Sequence, residues 1–124
     1  RDDVHALVIG TPHTQHFEHV NAAMDAGKHI LCEKPMVCSV EHATALLRRL
    51  ENYPKVFGVA YQRHAMGQFK HIRDTIASGR FGAVTFLSAL QCQGWKRGVA
   101  GTWRQDPALS GGGQLNDSGS HLVD

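Results

Sequence analysis

Val4-His5-Ala6-Leu7-Val8-Ile9, running into Gly10-Thr11-Pro12, is the stretch on which the fold turns. It is short, mostly apolar, and closed by a glycine and a proline, so it reads as a buried strand stopping at a turn. Working outward, Phe17, Val20, Ala23 and Met24 recur at helical spacing as far as Gly27, a natural helix stop. His29-Ile30-Leu31-Cys32 follows at once as a second strand and ends in Glu33-Lys34-Pro35. Ser39 then suits an N-cap and Glu41 a first helical turn, with Val40, Ala43, Leu46, Leu47 and Leu50 as the apolar stripe. After Asn52-Tyr53-Pro54, the run Val56-Phe57-Gly58-Val59-Ala60-Tyr61 predicts a third strand. Strand–helix–strand–helix–strand alternation specifies an α/β fold, a parallel sheet with helical crossovers.

Between Tyr61 and Gly67 this alternation ends, which places a domain boundary there: residues 1–63 on one side and 64–124 on the other. Phe69, Ile72 and Ile76 mark a helix closed by Ser78-Gly79. Residues 83–90 predict a longer strand, with Val84, Phe86, Ser88 and Leu90 on one face and Thr85, Leu87 and Ala89 on the other. Residues 94–113, rich in Gly, Trp and Arg, read as an exposed loop leading into a last helix that carries Asp117 and His121.

The bulk properties exclude several classes. Hydrophobic content of 42% and charged content of 19% fit an ordinary globular chain, not a disordered tail. The net charge of +2 is dispersed without a polybasic run, so neither nucleic acid nor an anionic membrane surface is an expected partner. No apolar stretch has the length of a membrane span. Three cysteines without a CxxC argue against a disulfide framework and favour a reducing cytoplasm. Nine histidines include His13 and His16, three apart, but no third and fourth ligand follows at zinc-site spacing.

Chemistry is expected where ligands meet open α/β sheets, outside the carboxyl ends of the strands. Three polar strand ends qualify: Thr11-Pro12-His13, Glu33-Lys34-Pro35 and Tyr61-Gln62-Arg63. A lysine wedged between an acid and a proline is held in direction, and partial burial makes its charge useful to a hydroxyl or carbonyl oxygen. In Gly111-Gly112-Gly113-Gln114-Leu115-Asn116-Asp117-Ser118-Gly119-Ser120-His121, the second cluster, helical spacing would bring Asp117 and His121 onto one face, about 5–6 Å apart at Cβ. A carboxylate there would orient the imidazole and stabilise its protonated form, preparing a general base. With Lys34, the pair points to a redox site.

Residues 8–16, 26–35 and 111–124 together resemble the Gfo/Idh/MocA family of NAD(P)-dependent oxidoreductases, as does the turn Gly79-Arg80-Phe81-Gly82 between them. The likeness runs through nearly the whole chain in the correct order. It implies the second half of a Rossmann-type parallel sheet, followed by the start of an α/β domain built on an open antiparallel sheet. It implies NAD or NADP as cofactor, and a sugar, inositol or related polyol, or the corresponding carbonyl, as substrate. Lys34, Asp117 and His121 match the family's catalytic positions. Thr11, Pro12, His13, His16, Glu33, Lys34 and Gln62 match positions that line the dinucleotide, and Trp103-Arg104 resembles a pair found near it in part of the family.

No GxGxxG and no acidic or basic cofactor selector occurs in the chain. Those elements are expected ahead of Arg1, and the remainder of the substrate domain after Asp124. The fragment alone is therefore expected to be inactive, and the whole protein to be a homo-oligomer. Two alternatives stand beside the dehydrogenase: NAD-dependent, redox-assisted glycosidic cleavage, and a non-catalytic nucleotide-binding protein on the same fold.

Overall fold

A computed structural model describes all 124 residues. The chain runs β1 (Ala6–Ile9), a 3₁₀ turn (His13–Gln15), α1 (His16–Asp25), β2 (His29–Cys32), α2 (Val40–Leu50), β3 (Phe57–Val59) and a second 3₁₀ turn (Gln62–Ala65). It continues through α3 (Gly67–Ala77), α4 (Trp95–Gly98), a third 3₁₀ turn (Trp103–Gln105), α5 (Pro107–Ser110), α6 (Gln114–Asp117) and α7 (Ser120–Val123). The three strands form one parallel sheet in the order β1-β2-β3, with Ala6 opposite His29 and Ile30 opposite Phe57.

Local signals set the boundaries. Gly27 follows α1 at φ +64, a left-handed conformation that glycine adopts without a Cβ penalty. The Ser39 side chain accepts the His42 N–H at 3.2 Å, satisfying one of the orphan donors at the start of α2. Ile9, Val20, Ala23, Met24, Ile30, Cys32 and Leu46 make the core between the sheet and its two crossover helices. Fully burying a side chain such as Leu46 contributes about 1.5–3 kcal/mol. Leu46 is the anchor of α2. Val40 and Leu47, expected in the same stripe, are 77% and 57% exposed, because α2 turns only a narrow face toward the sheet.

β1 is not the buried strand that its composition predicts. Val8 is 76% exposed and Leu31 of β2 is 45% exposed, since α1 and α2 cover one face of the sheet only. A larger difference concerns residues 83–90, which form no strand. The only sheet is parallel, and no antiparallel pairing occurs. A strand exists through hydrogen bonds to a neighbour, and residues 83–93 make no backbone–backbone hydrogen bond at all. Phe86, Leu87 and Leu90 are accordingly 82%, 76% and 87% exposed. No helix is long and apolar enough to cross a membrane.

Candidate active site

The carboxyl ends of the three strands deliver Thr11, Glu33-Lys34 and Tyr61-Gln62 to one edge of the sheet. Lys34 follows β2 directly and is joined to Pro35 by a cis peptide bond. Its ammonium reaches across to the second half of the chain, donating to the Asp117 carboxylate at 2.7 Å and to the Asp117 backbone carbonyl at 2.9 Å. An ammonium has three hydrogens, so two are committed to Asp117 and one remains.

Asp117 is a buried hub. Its Oδ1 accepts from Lys34, while Oδ2 accepts from the Trp95 indole at 3.0 Å and from Arg104 Nε at 3.2 Å. Burial pushes this carboxyl upward. The hydrogen bonds from Lys34 and Trp95, with the charges of Lys34 and Arg104, outweigh that and hold it below the usual carboxylate range. The group is a carboxylate near neutral pH.

Asp117 and His121 do not share a helical face as an aligned pair. The run breaks at Ser118-Gly119 into two single turns, α6 and α7. In a continuous helix the His121 N–H would bond the Asp117 carbonyl, but that oxygen accepts from Lys34 and from Ser120 Oγ, and His121 N–H turns to Ser118 instead. Gly119 allows the break: a Cβ there would lie 2.8 Å from Leu115 Cα. With both carboxylate oxygens spent on Lys34, Trp95 and Arg104, no Asp117–His121 hydrogen bond forms. The Asp117 carboxylate thus contacts Lys34 and not His121, contrary to the expected pairing.

His121 has different neighbours. Its ring meets Tyr61 edge-on at 5.8 Å between centroids, and its carbonyl accepts from Arg63 at 3.0 Å. Nδ1 is buried without a partner, which leaves Nε2 as the nitrogen facing open space. Burial lowers the imidazole's pKa, and the nearby charges of Lys34 and Arg63 lower it further, against weaker opposition from Asp124 and Glu33. His121 is therefore a neutral base at neutral pH. Removing one of those cations raises its pKa, so the free base forms only at higher pH. Arg63→Gln in the whole protein is expected to move the acid limb of kcat/KM to higher pH, which a pH–rate profile reads directly. A limb that stays put or moves to lower pH would show that Arg63 does not act on this imidazole.

The remaining expected cofactor residues divide. His13 is 3% exposed, with Nδ1 at 3.0 Å from the Ser110 carbonyl and its ring edge-on to Trp103 at 4.7 Å. His16 is fully buried, its two ring nitrogens facing the Pro35 and Thr11 carbonyls at 2.8 and 3.0 Å. It links the segments that follow β1 and β2 through these two carbonyls. Trp103 packs against His13 and under Arg104, whose guanidinium lies 4.4 Å from the ring centroid. Thr11, Pro12, Glu33 and Gln62 stay at least partly accessible at the sheet edge. A separate open cleft of about 670 Å³ is lined by Tyr61, Gly112, Gly113, Asn116 and Ser120 among others, and includes none of Thr11, Pro12, Glu33, Lys34, Gln62 or His121. This donor set fits the reactive end of a dinucleotide. No glycine-rich turn is present in the chain to hold its phosphates.

Comparison with known proteins agrees with this layout. Residues 1–61 match the family model described as an oxidoreductase family with an NAD-binding Rossmann fold, and residues 69–124 match the GFO/IDH/MocA C-terminal domain. The chain belongs to the Gfo/Idh/MocA family. Among its relatives, levoglucosan dehydrogenase of Pseudarthrobacter phenanthrenivorans is 29% identical, over 98% of this chain and 32% of its own length. The NADP(+) scyllo-inositol 2-dehydrogenase of Bacillus subtilis is 27% identical, over 98% and 33%. The crystal structure of an inositol dehydrogenase homologue with NAD+ from Azotobacter vinelandii superposes with a TM-score of 0.87 at 31% identity, over 98% of this chain and 33% of that one. This Gfo/Idh/MocA chain spans about a third of the length of the curated relatives it matches.

Trp95 is the site residue that sequence reasoning missed. Its only signal was a tryptophan in a glycine- and arginine-rich loop, which by itself looks like a surface anchor.

Proposed function

We propose that the whole protein is an NAD(P)-dependent oxidoreductase that moves a hydride between the nicotinamide and a sugar, inositol or related polyol, or its carbonyl form. Lys34 and His121 act at the reacting oxygen, and Asp117 acts through Lys34. The observation that carries this reading is the ammonium of Lys34, held by Asp117 through two hydrogens with the third free. Lys34 comes from the half of the chain before residue 63 and His121 from the half after it, and we take these halves as the dinucleotide-binding and substrate-binding parts.

The bound dinucleotide would be held by Thr11, Pro12, Glu33 and Gln62 and would supply the hydride acceptor or donor. The chain's own residues manage the oxygen. His121 Nε2 takes the hydroxyl proton as the alcohol is oxidised, and returns it in the reverse direction. The free hydrogen of Lys34 donates to the same oxygen and stabilises its developing negative charge. Asp117, ionised, keeps Lys34 aimed. Orientation set in advance lowers the cost of reorganisation at the moment of reaction.

The experiment is an assay of the whole protein with NAD and NADP against a panel of sugars and inositols. Stoichiometric reduced dinucleotide and oxidised product are expected. A free sugar released from a glycoside with no net reduced dinucleotide would favour redox-assisted cleavage instead. Dinucleotide binding without turnover of any member would favour a non-catalytic protein.

A further inference from the structure

We propose that Trp95 is a positioning residue for Lys34, acting through Asp117; this deepens the functional reading above and rests on it. Trp95 opens α4, a single turn set in the loop that connects residues 83–93 to the rest of the second half. Its indole N–H donates to Asp117 Oδ2 at 3.0 Å, while Lys34 holds Oδ1 at 2.7 Å. A carboxylate is planar, so fixing one oxygen fixes the direction of the other. Trp95 therefore sets the plane in which Oδ1 meets the ammonium. Lys34 in turn has its second hydrogen on the Asp117 carbonyl, and the direction of its third is determined by these two.

Arg104 shares Oδ2 at 3.2 Å, but it does not do the same work. Its side chain is 38% exposed, its guanidinium is laid over Trp103, and only Nε reaches the carboxylate. The indole is half-buried, has two side-chain torsions and carries a single donor with one direction. It is also neutral. The cluster already contains Lys34, Arg104 and Arg63, and a further cation would depress the His121 base more strongly. A neutral N–H steadies the carboxylate without that side effect.

The test compares Trp95→Phe with Trp95→Ala in the whole protein, each also combined with Asp117→Asn. Phenylalanine keeps most of the ring packing and removes the donor. A positioning role predicts that Trp95→Phe lowers kcat on the order of tenfold, the loss of one charge-assisted hydrogen bond, with the dinucleotide KM little changed. It also predicts that this loss disappears in the Asp117→Asn background. A packing role predicts near-parental kcat for Trp95→Phe and damage only in Trp95→Ala, and that result overturns the inference.

A second readout is independent of turnover. In protein labelled with ¹⁵N-tryptophan, the Trp95 indole resonance, assigned by its loss in Trp95→Phe, should shift and exchange faster with solvent in Asp117→Asn. An unchanged resonance refutes the contact. A parent protein with no dehydrogenase activity overturns the function and this role with it. An active parent with a near-parental Trp95→Phe overturns this inference alone.

Discussion

Lys34→Ala is expected to lower turnover by about 10²–10⁴-fold while changing dinucleotide affinity much less, and His121→Ala should behave similarly. The asymmetry follows from where each group acts. Lys34 spends two hydrogens on Asp117, and in the proposed mechanism the third would meet the charge that develops on the reacting oxygen. In the same mechanism His121 Nε2 would take the hydroxyl proton. Neither residue holds phosphate. A group that works mainly in the transition state lowers kcat and kcat/KM together when removed. Steady-state kinetics of the two variants with the best polyol, alongside a dinucleotide titration, check this. Variants that keep near-parental turnover would remove both residues from the mechanism.

Much of the first half of the chain was legible because its information is local. Each of the three strands is a short apolar run with its own stop, and Gly27 and Ser39 punctuate the helices by backbone conformation and by a side-chain cap. Parallel order then follows from the crossovers. The second half was less legible for two physical reasons. Residues 83–90 have the alternation of a strand, but alternation only describes two faces, and a strand also needs a hydrogen-bonding neighbour. The spacing of Asp117 and His121 describes a pair only if the helix between them is unbroken. At the break at Ser118-Gly119 the Asp117 carbonyl accepts from Ser120 Oγ and from Lys34, which is 83 residues away. No local pattern contains that contact.

The same long-range contact changes the expected partner of Asp117, and the second large effect depends on it. Asp117→Asn preserves shape and removes the charge on which the Lys34, Trp95 and Arg104 donors converge. An amide offers one acceptor oxygen and an NH₂ that cannot accept from any of them. Lys34 would then lose its aligned anchor, and the remaining hydrogen would no longer be directed at the reacting oxygen. Turnover is expected to fall by about 10²-fold or more, within the range seen when a positioned donor is lost. The parent's stability advantage over the variant should also depend on pH. Because the folded carboxyl is held below its unfolded value, its contribution to stability is present above the unfolded pKa and disappears as pH falls through the folded one, so the parent and variant should differ in stability near neutral pH and converge in strong acid.

Whether Asp117 serves Lys34 or His121 is decided by a double-mutant cycle on turnover. Lys34→Ala, His121→Ala and Asp117→Asn are measured singly and in the two pairs containing Asp117→Asn. If Asp117 serves Lys34, adding Asp117→Asn to Lys34→Ala costs little more than Lys34→Ala alone, while adding it to His121→Ala still slows the enzyme substantially. The reverse pattern, with Asp117→Asn silent beside His121→Ala and its full effect retained beside Lys34→Ala, would contradict it.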